Sequence, residues 1–183
     1  VGDAARLPTL LASVPTLRTL SVRNTDALQV GSLPKLESFS ALKCTFVEGL
    51  GSQPALTSLR LRSCRGEALR GGVFPKLRRL ELDDCDLRTL DGCAGVPLEE
   101  VVIQKCHSLK DVSAIGKAPL AKVVIEACSD LRSGSGLAKV PPGQLTLRQT
   151  GVDTDDPALA SALGRKAHVK RHHRKPKPRT GAG

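Results

Sequence analysis

The stretch "PALTSLRLRSC", residues 54–64, alternates apolar and polar side chains and ends on a cysteine. Leu59 and Leu61 lie two positions apart with Arg60 between them, which is the period of a short β-strand that buries one face. Cys64 closes the pattern. A cysteine in that place is a candidate metal ligand, nucleophile, disulfide partner or small core residue, and the choice decides what the chain can do.

The same pattern recurs along the chain. Seven units align with it: LRTLSVRNT (17–25), LESFSALKC (36–44), LTSLRLRSC (56–64), LRRLELDDC (77–85), LEEVVIQKC (98–106), LAKVVIEAC (120–128) and PGQLTLRQT (142–150). The segments between them, which we call the returns, lead the chain from the end of one strand to the start of the next. They carry a second set of apolar residues and are rich in Gly, Ser and Pro, which predicts irregular or 3₁₀ structure. Because one unit cannot bury its own apolar edge, we expect the units to stack into a solenoid with one short parallel strand per repeat.

The pattern L-x-x-L-x-L-x-x-C resembles the leucine-rich repeat over roughly residues 7–152. Units such as "CHSLKDVSAIGKAPLAKVVIEAC" (106–128) are similar to the short cysteine-containing repeats of kinetoplastid protozoa. The closing Cys also resembles the repeats of F-box substrate receptors, which are longer than the steps of 19 to 22 residues found here. The resemblance implies an α/β solenoid of horseshoe shape whose strands line the concave side. Ala41 and Pro142 depart from the pattern, since each replaces a large apolar residue.

Three segments are expected on this alignment: the solenoid over residues 1–152, a C-terminal capping helix over 153–168 and a basic extended tail over 169–183. Asp156 suits the N-cap of the helix and Pro157 its first turn, and Leu159 and Leu163 would cover the open end of the core. The sequence contains no Met, so we expect it to begin inside a longer chain.

Five of the six cysteines hold the closing position of a repeat: Cys44, Cys64, Cys85, Cys106 and Cys128. Thr25 and Thr150 take that position in the outer units. The interchange favours a small core residue whose S–H or O–H donates to a loop carbonyl. Zinc is disfavoured because closed sites use ligands two to four residues apart, and no two cysteines are that close.

Other thiol chemistry is weighed in the same way. His107 adjoins Cys106, but adjacent residues at a strand end point apart, which disfavours a catalytic pair. Disulfides between neighbouring repeats are sterically possible. We expect reduced core thiols, no cofactor or metal, and an intracellular reducing compartment, which the cytoplasm, the nucleus and the mitochondrial matrix all satisfy. Cys93 lies off the series and is expected to be the reactive thiol.

The outward strand residues form the candidate partner-binding surface. Aligned strands place Arg60 beside Glu81 and Arg62 beside Asp83, and Val102 beside Val124 as an exposed apolar pair. Two interpretations stay open: charge pairs that keep a sheet solvated, or a partner footprint. The footprint would comprise Arg60, Arg62, Glu81, Asp83, Val102, Gln104, Val124 and Glu126.

The positive charge is concentrated at the C-terminus. Residues 165–183 hold eight of the 28 Lys and Arg residues and none of the 18 acids, so the remaining 164 residues carry 20 bases, 18 acids and a net charge of +2. Such a block is typical of a phosphate-binding arm, a targeting signal or a solvated terminus. The candidate RNA-binding or acidic-partner-binding residues are Lys170, Arg171, Arg174, Lys175, Lys177 and Arg179.

No catalytic triad, phosphate loop or dinucleotide motif appears in the sequence, and no apolar run is long enough for a membrane span. We therefore predict a non-enzymatic scaffold that binds a protein partner within a larger complex, without a membrane or a small-molecule substrate. The alternative is a structural subunit of a ribonucleoprotein, ribosome-like, anchored on RNA by the basic tail. A substrate receptor of a ubiquitin ligase is a third class.

Overall fold

The computed structural model describes residues 14–48, 50–66 and 68–153, together with residues 159, 162 and 163. Seven parallel strands form one sheet in chain order. They are β1 (Thr19–Leu28), β2 (Ser38–Phe46), β3 (Ser58–Arg62), β4 (Arg79–Asp83), β5 (Glu100–Gln104), β6 (Lys122–Glu126) and β7 (Leu145–Arg148). Each strand pairs with the next one along the chain, so the predicted solenoid with one parallel strand per repeat is confirmed.

The strand register matches the alignment of the repeats. Leu59 pairs with Leu80, and Leu61 pairs with Leu82. The same two inward columns continue through all seven strands, and their residues are buried except for the half-buried Leu20 at the first strand. Removal of each large aliphatic side chain from water is worth about 1.5–3 kcal/mol, so the stacked columns are the main source of stability.

A left-handed residue follows the outward residues of every strand and directly precedes the corner Cys or Thr. Its φ lies between 49° and 55° in all seven repeats, at Asn24, Lys43, Ser63, Asp84, Lys105, Ala127 and Gln149. Strict alternation after Arg62 would turn Cys64 outward, and the left-handed Ser63 resets the phase so that Cys64 enters the core. None of the seven is β-branched, in keeping with the high cost of that conformation for branched side chains.

The returns contain three described 3₁₀ turns, Asp91–Cys93, Ser113–Ile115 and Ser135–Leu137, which confirms the prediction of 3₁₀ or irregular connections. Each turn buries its last residue in the core. β1 and β2 are 10 and 9 residues long, against five or fewer in the later strands. They are longer than predicted because their pairing continues past the corner to Leu28 and Phe46, after a register shift.

Helix is scarce in the part of the chain that the structure describes. Only Leu159, Ala162 and Leu163 have α-helical backbone there, and all three are buried in the common core. The predicted capping helix at 153–168 otherwise lies outside the described residues, as do the tail at 169–183 and residues 1–13. The α component of the predicted α/β class is therefore not found among the described repeats. No described helix has the length and apolar character needed to cross a membrane.

Gln53 joins the returns of neighbouring repeats. Its Oε1 accepts a hydrogen bond from the backbone N–H of Leu33 at 3.1 Å. Its Nε2 donates to the carbonyls of Gly31 at 2.8 Å and Leu50 at 2.7 Å. Gln53 is fully buried, and no other polar side chain among the described residues is classed as buried. Its amide supplies hydrogen-bond partners to backbone groups of the returns that have no neighbouring strand to pair with.

Candidate functional site: the strand face

The outward residues of the seven strands form a continuous surface, which we call the strand face. Two of its columns are in register across all the strands. The first column is Ser21, Ser40, Arg60, Glu81, Val102, Val124 and Thr146, and the second is Arg23, Leu42, Arg62, Asp83, Gln104, Glu126 and Arg148. The structure thus brings together all eight residues predicted for the partner footprint, on β3 to β6.

The predicted charge pairs between β3 and β4 are present. Arg60 Nε donates to Glu81 Oε2 at 2.7 Å, and Arg62 Nε donates to Asp83 Oδ2 at 3.3 Å. Both arginine side chains are 54% exposed, so each pair is worth only about 0.2–1 kcal/mol. These pairs keep the face polar and in register, but they contribute little to its stability.

Charge pairing continues onto the later strands. Glu100 on β5 lies between Arg79 at 2.8 Å and Lys122 at 3.4 Å. Partial desolvation raises the pKa of Glu100, but hydrogen bonds from Arg79 and Lys122 outweigh it, and the net shift of the pKa is downward. Glu126 accepts from Gln104 at 3.0 Å and pairs with Arg148 at 3.3 Å. The carboxylates of this face are therefore already engaged.

Asp83 is engaged through one oxygen only. Its Oδ2 accepts from Arg62, but its Oδ1 is buried and has no hydrogen-bond donor among the described residues, and Lys105 Nζ lies 3.9 Å from it. An acceptor without a donor is costly inside a protein, and a small shift of Lys105 would satisfy it. Sequence patterns gave no sign of this oxygen, since it depends on the side-chain packing around β4.

Val102 and Val124 lie side by side in register, next to Thr146 on β7. Both valines are half-buried rather than fully exposed as predicted, because close neighbours on a flat parallel sheet cover part of each side chain. The three residues form an uncharged strip between the Glu81 side of the face and its last edge. The strip carries no charge that a neighbouring strand must pair.

The corner cysteines are structural. All five are buried, at 0–3% exposure. Each thiol donates to the carbonyl of the residue two positions earlier, at 3.4–3.5 Å. Thr25 Oγ1 makes the same bond to the Arg23 carbonyl at 3.2 Å, which explains why Thr and Cys interchange. The acceptors belong to the strands, not to the loops as predicted, because the left-handed residue folds the thiol back over the strand end.

The buried thiols also interact along the stack. The neighbouring Cys85 thiol and burial raise the pKa of Cys64, whereas the neighbouring Cys106 and Cys64 thiols lower the pKa of Cys85. All six cysteines are free, and the described residues contain no group of three or more potential ligands that could hold a metal ion.

The prediction that Cys93 is the reactive thiol is wrong. Cys93 is fully buried at the end of its 3₁₀ turn, and burial raises its pKa to about 12. Both the nucleophilic thiolate and access to reagents are lost there. Its position between strands had suggested a loop, but the return packs its apolar residues inward.

A cleft of about 830 Å³ opens on the return side of repeats three and four. Its lining includes Arg70, Asp86, Arg88 and Asp91 together with Leu69 and Leu87, so it is of mixed charge and mixed polarity. Thr89 Oγ1 donates to Asp91 Oδ2 at 2.8 Å at its edge. The repeat alignment could not have located this cleft, because it depends on the path of two irregular returns.

The candidate tail residues Lys170, Arg171, Arg174, Lys175, Lys177 and Arg179 lie outside the described residues. Comparisons of the chain with protein-family models, with curated proteins and with solved structures give no match.

Proposed function

We propose that this chain is a non-enzymatic leucine-rich-repeat scaffold that binds a protein partner through its strand face. In this proposal the strand face is the concave side of a horseshoe, and a C-terminal capping helix that includes Leu159 and Leu163 closes the core. The burial of those two leucines with the last repeats supports the cap. The kinship with short kinetoplastid repeats belongs to the same proposal and depends on the repeat pattern alone.

The uncharged strip of Val102, Val124 and Thr146 carries the proposal. Most charges of the face pair with a neighbouring strand, so a partner gains little from them without breaking those pairs. The valine side chains are half-buried and have apolar surface left to cover. Partner contact is expected to centre there, with Gln104 and Glu126 beside it and the Arg60–Glu81 and Arg62–Asp83 pairs as a polar rim.

The test is recovery of the partner from native extract with a tagged full-length chain. The variant Val102→Asp with Val124→Asp places two charges in the strip, and the control Val102→Thr with Val124→Thr keeps β-branched shape without charge. We expect the Asp variant to lose the partner at least tenfold and the Thr control to retain most of it. Equal recovery by the Asp variant, with an unchanged melting temperature, would rule out the strip as the binding site.

A second candidate function is a structural subunit of a ribonucleoprotein held on RNA by the basic tail. The observation that favours it is the run of eight cations without an acid in residues 165–183. Nuclease treatment of the same pulldown separates the two candidates: a partner recovered through the strip persists after RNA is digested, whereas one bridged by RNA is lost.

A further inference from the structure

Three cations occupy equivalent places in successive returns. Arg88, Lys110 and Arg132 each directly follow a buried leucine, and all three are exposed. The backbone N–H of Lys110 donates to the Arg88 carbonyl at 2.9 Å, and that of Arg132 donates to the Lys110 carbonyl at 3.2 Å. Their neighbours Asp111 and Ser133 form a parallel bridge. The three residues, which we call the return ladder, are thus stacked at the spacing of adjacent strands, about 4.8 Å.

The return ladder contrasts with the strand face. On the strand face most charged residues have a partner of opposite sign on the next strand. In the return ladder three like charges are in register, and none forms a salt bridge with a described residue. Like charges in register destabilise a sheet. An arrangement that costs stability in the free protein is relieved when an anion bridges the three groups.

Arg132 lies beside the point where the chain leaves the sheet. A Cβ added to Gly151, just after β7, would lie 2.0 Å from Arg132 Nη1, so the guanidinium covers the point where the chain leaves the sheet. A Cβ added to Gly134, two residues after Arg132, would lie 2.8 Å from Leu159 Cδ1. Leu159 therefore lies against the return that carries Arg132, six residues before Arg165 in the sequence.

We propose that the return ladder binds the phosphate backbone of a single RNA strand that runs across the repeats. A linear series of cations fits a linear series of phosphates, and the long side chains can spread to the phosphate spacing. An acidic protein surface fits less well, since such interfaces have an apolar centre. The large exposed apolar residues of the described chain, Val14, Val47 and Val73, belong to other repeats.

Three aspartates moderate the ladder. Asp86 and Asp130 each stand two positions before a ladder arginine and are exposed, and the half-buried Asp111 directly follows Lys110. They weaken the attraction for phosphate and keep the surface from binding every polyanion strongly. They also supply a gain-of-affinity test, because their neutralisation leaves the ladder cations in place.

The experiment measures fluorescence anisotropy of a labelled oligo-U RNA with the full-length chain over a series of salt concentrations. The test variant is Arg88→Gln with Lys110→Gln and Arg132→Gln. The control removes the same charge elsewhere, through Lys35→Gln, Lys43→Gln and Lys76→Gln, which are also exposed. A third variant is Asp86→Asn with Asp130→Asn, and a fourth neutralises Lys170, Arg171, Arg174 and Lys175 in the tail.

Each phosphate contact to a single strand adds about 0.7 to the salt slope, or a factor of about four at 0.15 M salt. We expect the ladder variant to weaken binding roughly ten- to fifty-fold and to lower the slope by about 2, while the charge-matched control changes affinity less than threefold. The aspartate variant should bind RNA more tightly than the unaltered chain.

Equal losses of RNA affinity in the ladder and control variants would show that binding depends only on the net charge of the protein, and would overturn the inference. RNA binding that depends on the tail variant alone would also overturn it, while leaving the second candidate function standing. A chain that binds no RNA, or whose ladder binds poly-glutamate but not RNA, would overturn the inference as well. Melting temperatures within a few degrees of the unaltered chain show that each variant is folded.

Discussion

Replacement of Gln53 by leucine tests how the irregular returns are held together. The two side chains have similar size, so the change leaves no large cavity and removes only the amide. The Leu33 N–H and the Leu50 carbonyl then lose a partner in a buried setting, and the Gly31 carbonyl loses one at a partly exposed position. The backbone N–H of Gln53 keeps its own bond to the Val73 carbonyl at 3.0 Å.

The magnitude follows from the number of orphaned groups. An unpaired buried polar group costs about 1–3 kcal/mol, and Gly31 is exposed enough for water to replace its lost donor. The loss of hydrogen-bond partners at two buried groups should therefore lower the free energy of unfolding of Gln53→Leu by about 2–6 kcal/mol. A domain of ordinary stability holds only about 5–15 kcal/mol, so the effect on the midpoint of urea unfolding is large.

The control is Thr57→Val, which removes one exposed hydrogen bond, from Thr57 Oγ1 to the Glu37 carbonyl at 3.0 Å. It should cost less than about 1 kcal/mol. Urea unfolding followed by far-UV circular dichroism measures both variants. A loss of less than 1 kcal/mol for Gln53→Leu would show that the side chain of Gln53 does not hold the returns together, because two unpaired buried groups cost more than that.

The variant Gln53→Glu adds a pH signature. A protonated carboxyl retains the bond from Leu33 and one of the two bonds to carbonyls, whereas a carboxylate faces both carbonyl oxygens in a buried site. The folded state therefore raises the pKa of that carboxyl above its unfolded value of about 4.3. Stability of this variant should be near its best below pH 4 and fall by about 1.4 kcal/mol per pH unit above it, until the folded-state pKa is reached. A pH-independent loss would contradict this geometry.

Further predictions concern the core and the corners. Burial raises the pKa of Cys93 to about 12, so the folded state keeps it protonated, and this thiol should lower stability between pH 9 and 12 by up to about 4 kcal/mol. Cys93→Ala should remove that share of the fall in alkaline unfolding curves, and an unchanged curve would contradict the burial of this thiol. The same burial predicts that none of the six thiols reacts rapidly with Ellman's reagent in the native state and that all six react in guanidinium; a fast equivalent in the folded protein would contradict it. Cys106→Thr should lower the free energy of unfolding by less than about 1.5 kcal/mol, because the outer repeats have Thr at this position. Cys106→Leu should lower it by about 1–3 kcal/mol, because the larger side chain overpacks the core; thermal unfolding measures both variants. Ala127 has a left-handed φ of 55°, which glycine adopts without strain. Ala127→Gly should therefore raise the free energy of unfolding by about 0.5–1 kcal/mol, and Ala127→Val should lower it. The reverse order would show that the corner is not strained.

The repeat pattern was sufficient to predict the sheet. Every pair that the alignment set side by side, from Leu59 and Leu80 to Arg62 and Asp83, is a register pair in the structure. This works because the two-residue period of a strand and the repeat length together leave one register that buries every leucine. The same logic identified the corner cysteines as core residues, with Thr25 making the equivalent hydrogen bond.

Features that depend on the returns could not be predicted. Gln53 looks like an ordinary loop residue in the sequence, and its buried position follows from the path of two irregular segments. The burial of Cys93 follows from the path of a return in the same way, although its place between strands predicts a loop thiol. The left-handed residue directly precedes each corner Cys or Thr, but its identity varies from Asn24 to Ala127, so no residue type signals it.

The central claim is that a protein partner covers the valine strip on the strand face. Site-specific photo-crosslinking tests it most directly, with a benzophenone side chain placed at Ser40 or Thr146 on the strand face, or at Ser129 on an exposed corner of the returns. We predict one discrete protein adduct from the strand-face positions in nuclease-treated extract, lost in the Val102→Asp, Val124→Asp background and absent from Ser129. An adduct that forms from Ser129 and not from the strand face, or one that survives the aspartates, would contradict the claim.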